Sequence, residues 1–131
     1  MSPEGRACAV LELPWRAPKL SPNLRLHWAA RGRITADVRQ QAGWIAKAAK
    51  LTPTHPFEVT LHYRPARNGR RDPGNLSLDC KACIDGLVDA GFAPDDTPEF
   101  IHETIPVIHL AEKGKPGAMW IELVWQTKEV E

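Results

Sequence analysis

Several things are scarce in this sequence, and each scarcity closes off a class of protein. Cysteine occurs only at Cys8, Cys80 and Cys83 in 131 residues, an odd and scattered set that makes no disulfide framework and points to a reducing, intracellular compartment. No apolar run approaches the roughly 20 residues a membrane span needs, and the N-terminus lacks the basic-then-apolar pattern of a secretory leader. The expected setting is therefore the cytoplasm, with no membrane partner. Internal repeats and low-complexity tracts are also missing. A surplus of one charge is missing too: 17 Lys and Arg face 16 Asp and Glu, for a net charge of +1, which taken alone argues against a polyanionic partner.

Placed along the chain, the charges say the opposite. Through Arg71 there are 13 basic residues and 4 acidic ones, a net of +9; from Asp72 onward 4 basic residues face 12 acidic ones, a net of −8. A polyanion and a metal cation could both find complementary charge on such a chain. With 43% hydrophobic and 25% charged residues, the composition is that of a soluble globular protein, and the length fits one domain over residues 1–131.

Ala7 to Leu13 alternates loosely before Pro14 and predicts a short first strand. Pro14, Pro18 and Pro22, with the basic residues Arg16, Lys19, Arg25, Arg31 and Arg33 between Trp15 and Ile34, predict a long irregular loop, of a length uncommon in compact domains unless it has a function. Thr35 is the expected N-cap of a first helix running to Lys50, with Val38, Ala42, Ile45 and Ala49 on one face. Phe57 to Tyr63 has the period of two of a half-buried strand. Arg64 to Arg71 reads as an exposed basic turn. Asp72 followed by Pro73 predicts an N-cap and first helical position, opening a second helix over 74–90 that Gly91 ends. Phe100–Leu110 and Met119–Trp125 read as two strands of a hairpin closed at Lys113 to Gly117. The expected class is α+β, a mixed β-sheet covered by two helices in the order β-α-β-α-β-β.

The most informative stretch runs from Arg70, Arg71, Asp72, Pro73, Gly74 and Asn75 through Lys81 and Asp85-Gly86-Leu87 to Ala90-Gly91 and Asp95-Asp96. It resembles the RusA-type Holliday junction resolvases of bacteria and phages, whose signature is an Arg-rich segment, Asp-x-Asp-Asn, a helical Lys, Asp-x-Leu, Ala-Gly and a closing Asp-Asp. The likeness is concentrated between Arg70 and Asp96; it extends more weakly to Leu13-Pro14-Trp15, to Arg31-Gly32-Arg33 and to the expected final hairpin. The resemblance implies a RusA-like fold in a bacterial or phage-infected cell. It also implies a homodimer that uses Mg²⁺ to nick opposed strands of a four-way DNA junction. Residue by residue, it makes Asp72 and Asp96 metal ligands, Asn75 a residue that orients ligand or phosphate, and Lys81 an aid to phosphoryl transfer. Arg64, Arg67, Arg70 and Arg71, with Arg31 and Arg33, are expected to hold the DNA backbone. Such chemistry needs a nucleophilic water, neutralised phosphate charge and a stabilised leaving oxygen, which carboxylate-held Mg²⁺ and a nearby cation supply.

Two departures qualify the match. Gly74 stands where the family has its second aspartate, and the stretch from Asn75 to Lys81 is longer than in compact versions of the motif. Asp79 falls in the added stretch and is a candidate replacement, although seven helical residues separate it from Asp72 by roughly 10 Å. Two other readings stay open. One is a junction-binding protein with weakened or lost cleavage because of Gly74. The other is a small zinc or thiol-redox protein using Cys80 and Cys83, against which stands their position mid-helix on the apolar face, where core packing is expected. Asp85 and Asp89 are expected to be surface or interface charges. His102 and His109, at odd separation in one strand, should face opposite sides and not share an ion. Trp28, in the basic loop, is a candidate for stacking on an unpaired base.

Overall fold

Period-two alternation builds the centre of the molecule. In the computed structural model, which describes residues 5–22 and 24–127, Phe57, Val59, Leu61 and Tyr63 of strand β2 (Phe57–Arg64) are all buried. So are Met119, Ile121 and Leu123 of β5 (Ala118–Gln126). These side chains point to one face of the sheet and meet Val38, Ala42 and Ala46 of helix α1 (Trp28–Ala49) and Cys80, Cys83 and Leu87 of α2 (Ser77–Asp89) in one core. Truncating a fully buried member such as Leu61 to alanine costs about 2–5 kcal/mol.

The remaining strands are β1 (Arg6–Glu12), β3 (Ile101–Glu103) and β4 (Val107–Ile108). The sheet order is β1-β5-β2-β3, with β4 also paired to β2. β5 runs antiparallel to both β1 and β2, whereas β3 and β4 run parallel to β2. The protein is thus α+β, a mixed sheet with two helices, as its patterning predicts. No described helix is long and apolar enough to cross a membrane.

Two expectations are corrected. The first helix starts at Trp28, seven residues before Thr35. His27 is its N-cap, its Nδ1 accepting from the Ala29 N–H at 3.1 Å. Thr35 lies inside the helix, and its hydroxyl donates to the Arg31 carbonyl at 2.8 Å, the back-bond that lets a good capping residue sit mid-helix. The expected C-terminal hairpin does not form. The segment 100–110 breaks into β3 and β4 around Pro106, which has no N–H to give a ladder, and both pieces pair with β2 while β5 lies on its other side. The observed order is β-α-β-α-β-β-β. Turn composition at 113–117 marks where the chain reverses but not which strand it then joins.

The second helix opens as expected. Oδ1 of Asp72 accepts from the Gly74 N–H at 2.9 Å and caps a 3₁₀ turn, Pro73–Leu76, that continues into α2. Gly91, at φ +90°, follows its end. The two helices cross at paired glycines: a Cβ on Gly86 would lie 2.5 Å from the Arg39 carbonyl oxygen and 2.8 Å from the Gly43 nitrogen. Only hydrogen fits there.

Candidate nucleic-acid interface

The 3₁₀ turn before α2 presents Asp72 and Asn75 to a cleft of about 280 Å³. Tyr63, Arg70 and Arg71 line it too, as do Ala17, Pro18, Ser21 and Leu24 of the loop before α1. The Arg71 guanidinium lies 5.9 Å from the Tyr63 ring centroid, a cation–π arrangement that holds the charge at the rim. Two arginines and one carboxylate line the same cleft, so the charge changeover at residues 71–72 is also a place in space.

The loop wall is fixed from beneath. Asp79 is buried, 1% exposed, and its two carboxylate oxygens accept the backbone N–H groups of Lys19 at 2.8 Å and Leu20 at 3.1 Å. Burial pushes its pKa up, against the lowering effect of those two hydrogen bonds. This carboxylate is committed to the loop, so the expected role of Asp79 as a replacement ligand beside Asp72 is not met: both of its oxygens are taken by the Lys19 and Leu20 N–H groups. Arg31 donates to the carbonyls of Leu20 and Leu24, each at 3.3 Å.

The candidate arginines therefore divide. Arg71 and Arg70 line the cleft, and Arg67 and Arg33 are exposed. Arg31 braces the loop, and Arg64 donates to the Pro116 carbonyl at 3.3 Å and lies 3.7 Å from Glu112.

Lys81 and Asp96 come together and are not among the residues that line the cleft. The Lys81 ammonium bridges Asp96 and Asp85, the latter at 3.1 Å. Hydrogen bonding to Asp96, and next to Asp85, raises the Lys81 pKa; the same bond to Lys81 lowers that of Asp96. Doubling back of the chain after Gly91 thus brings Asp96 to the helix, where it meets the motif lysine. Asp89 accepts a two-pronged bond from Arg39, at 2.6 and 2.8 Å, and is a surface charge as expected.

Among the described residues no group of three or more His, Cys, Asp or Glu side chains is placed to hold a metal. The donors at the cleft are Asp72, whose Oδ2 is outside the capping bond, and the Asn75 carboxamide. Gly74 lies beside them: a Cβ there would stand 3.4 Å from Asp72 Oδ1 and 3.8 Å from Oδ2, in ordinary contact. Such a set fits Mg²⁺ held by one carboxylate, its own waters and a substrate phosphate, and it makes no preformed cage.

Cys80 and Cys83 are free, buried core residues, and burial raises both thiol pKa values, Cys83 to about 12. Sequence reasoning missed an array on the other face of the sheet. His62 Nδ1 and His109 Nε2 lie 2.8 Å apart, His62 Nε2 is 2.8 Å from Glu122 Oε1, and both rings stack on Trp120. His109 follows β4 and meets His62 of β2, so its partner is not the exposed His102. The polar phase of β2 marks His62 as facing away from the core, but nothing local names its partners.

No protein-family model matches the chain. A protein of Xylella fastidiosa (strain Temecula1 / ATCC 700964), described as an uncharacterized protein, is 29% identical over 85 residues, covering 61% of this chain and 56% of that one. The chain thus spans little more than half the length of the relative it matches.

Proposed function

We propose that the chain is a RusA-like, Mg²⁺-dependent, structure-selective endodeoxyribonuclease that acts as a homodimer on four-way and other branched DNA, in the cytoplasm of a bacterial or phage-infected cell. The observation that carries this reading is the cleft in which Asp72 and Asn75 stand against Arg70 and Arg71. Phosphodiester hydrolysis at neutral pH joins cations that take the phosphate charge to a carboxylate that serves the attacking water. Asp72 Oδ2 and the Asn75 carboxamide would hold the ion, which when bound supplies an activated water and charge neutralisation. Arg70 and Arg71 clamp the backbone on either side of the scissile bond. The Asp72 cap fixes the carboxylate relative to α2, so that phosphate bound by the arginines arrives beside it. Shape, more than base edges, selects the substrate, because these groups address phosphate oxygens. A two-fold dimer matches the near two-fold symmetry of a junction.

A second reading, junction binding with weak or lost cleavage, is favoured by two observations. Position 74 lacks a side chain beside Asp72, and Asp96 is paired with Lys81. A gel shift on a synthetic four-way junction in Ca²⁺, followed by a nicking assay in Mg²⁺, separates the two. Paired symmetric nicks support the nuclease, and a shift without nicks supports the binder.

A further inference from the structure

Asp79 is the one charged residue that is fully buried among the described residues. An ionised carboxylate out of water is costly unless strong hydrogen bonds compensate for it. Here both oxygens are used, and neither bond joins the helix to the sheet: they go to the N–H groups of Lys19 and Leu20, about sixty positions earlier in an irregular loop. Leu20 is 1% exposed, so its backbone groups need partners inside the protein. Its N–H finds Asp79 and its carbonyl finds Arg31. One residue is therefore gripped from α2 and α1 at once, and the loop on either side of it lines the cleft together with Asp72 and Asn75.

We infer that Asp79 is a positioning residue: it docks Lys19 and Leu20 of the loop before α1 onto α2 and thereby sets the width of the cleft in which DNA backbone is bound. The use of that cleft for DNA rests on the function proposed above; the docking itself does not. Asp79 lies four residues beyond Asn75, so α2 ties down the loop that lines the cleft while the 3₁₀ turn running into it presents Asn75 to the same cleft. Loop and turn are thereby joined through α2, which pre-forms the cleft before any ligand arrives.

The test compares Asp79→Asn and Asp79→Ala with the parental protein by amide hydrogen exchange and by affinity for a four-way junction and a linear duplex. The asparagine variant keeps the volume and one acceptor, and so stays informative should the alanine variant fail to fold. Loss of a charge-assisted anchor predicts roughly tenfold or faster exchange at Lys19 and Leu20, with the β2 amides of Val59 and Leu61 unchanged, and a shifted Asn75 side-chain amide resonance. Junction affinity is expected to fall about tenfold, more than duplex affinity, as the pre-formed cleft is lost. Unchanged exchange at Lys19 and Leu20 overturns the inference, and so does a rise shared by β2, which would make Asp79 a general stability residue. Local release with full junction affinity overturns the positioning role. If the parental protein binds no junction, the proposed function fails, while local release with a shifted Asn75 signal still upholds the docking.

Discussion

Asp72 and Gly74 share one oxygen: Oδ1 of Asp72 accepts the Gly74 N–H at 2.9 Å, and a Cβ on Gly74 would stand 3.4 Å from that same atom. Under the proposed function, position 74 is where a second carboxylate would stand beside Asp72. A Cβ at position 74 meets only side-chain atoms of Asp72 and no main chain, so Gly74→Asp is expected to place a second acid beside the first. The expected outcome is faster nicking of a four-way junction and half-maximal activity at lower Mg²⁺, read from a metal titration of the nicking rate. Equal rates at every Mg²⁺ concentration would show that position 74 does not limit the chemistry.

Asp72 has two separable roles, and two substitutions part them. Asp72→Asn keeps a side-chain oxygen for the Gly74 N–H and should leave the melting temperature nearly unchanged, whereas Asp72→Ala should cost about 1 kcal/mol through the lost cap. Both should abolish nicking and retain junction binding. Nicking by Asp72→Asn at the parental rate would leave this residue only its capping role.

Lys81 sets the acidity of Asp96. Since hydrogen bonding to Lys81 lowers the Asp96 pKa, the pair adds stability above the ordinary aspartate range and loses it as pH falls through the depressed value. On the other side the raised Lys81 pKa keeps its share at and below the ordinary lysine range, and that share goes as pH rises through the raised value. Lys81→Met should return the Asp96 carboxyl towards its ordinary range in a ¹³C-detected titration. The pair is solvent-facing, so the accompanying loss of stability at neutral pH should stay within about 1 kcal/mol.

The helix crossing is the sharpest test of the packing. Gly86→Ala would push a methyl group to 2.5 Å from the Arg39 carbonyl oxygen, and separating α1 from α2 to admit it should cost about 1–3 kcal/mol. At Gly43 the tightest approach is 3.2 Å, to the Gly86 oxygen, so Gly43→Ala should lower the melting temperature less.

The thiols discriminate against a zinc or redox role. Cys8 is exposed while Cys80 and Cys83 are buried with raised pKa values. Ellman's reagent should therefore titrate one thiol in the native protein and three in denaturant. Rapid reaction of all three in the folded state would contradict the packing described.

Much of this was legible in the residues. The alternation of Phe57, Val59, Leu61 and Tyr63, the Asp72-Pro73 start and the Gly91 stop each act over a few neighbours, and each appears where the sequence puts it. What failed depended on distant partners. Thr35 is a good cap in isolation, but the loop that ends at His27 lets the helix begin a full two turns earlier. The expected hairpin required knowing that β2 would take β3 and β4 on one side and β5 on the other. At the site, Asp72 and Asn75 lie near each other in sequence and in space, and so were visible. The destinations of Asp79, Arg31 and Arg64 were not, because a buried carboxylate and two bracing guanidiniums look in sequence like any other charges of their kind.

The central claim is that the cleft at Asp72 binds and cuts branched DNA. The most direct measurement incubates the protein with a radiolabelled four-way junction in Mg²⁺, alongside its Asp72→Asn variant. The account predicts paired nicks at symmetric positions on opposed strands for the parental chain and none for the variant, with both forming the same shifted complex in Ca²⁺. No complex with the junction, or nicking that survives Asp72→Asn unchanged, would contradict it.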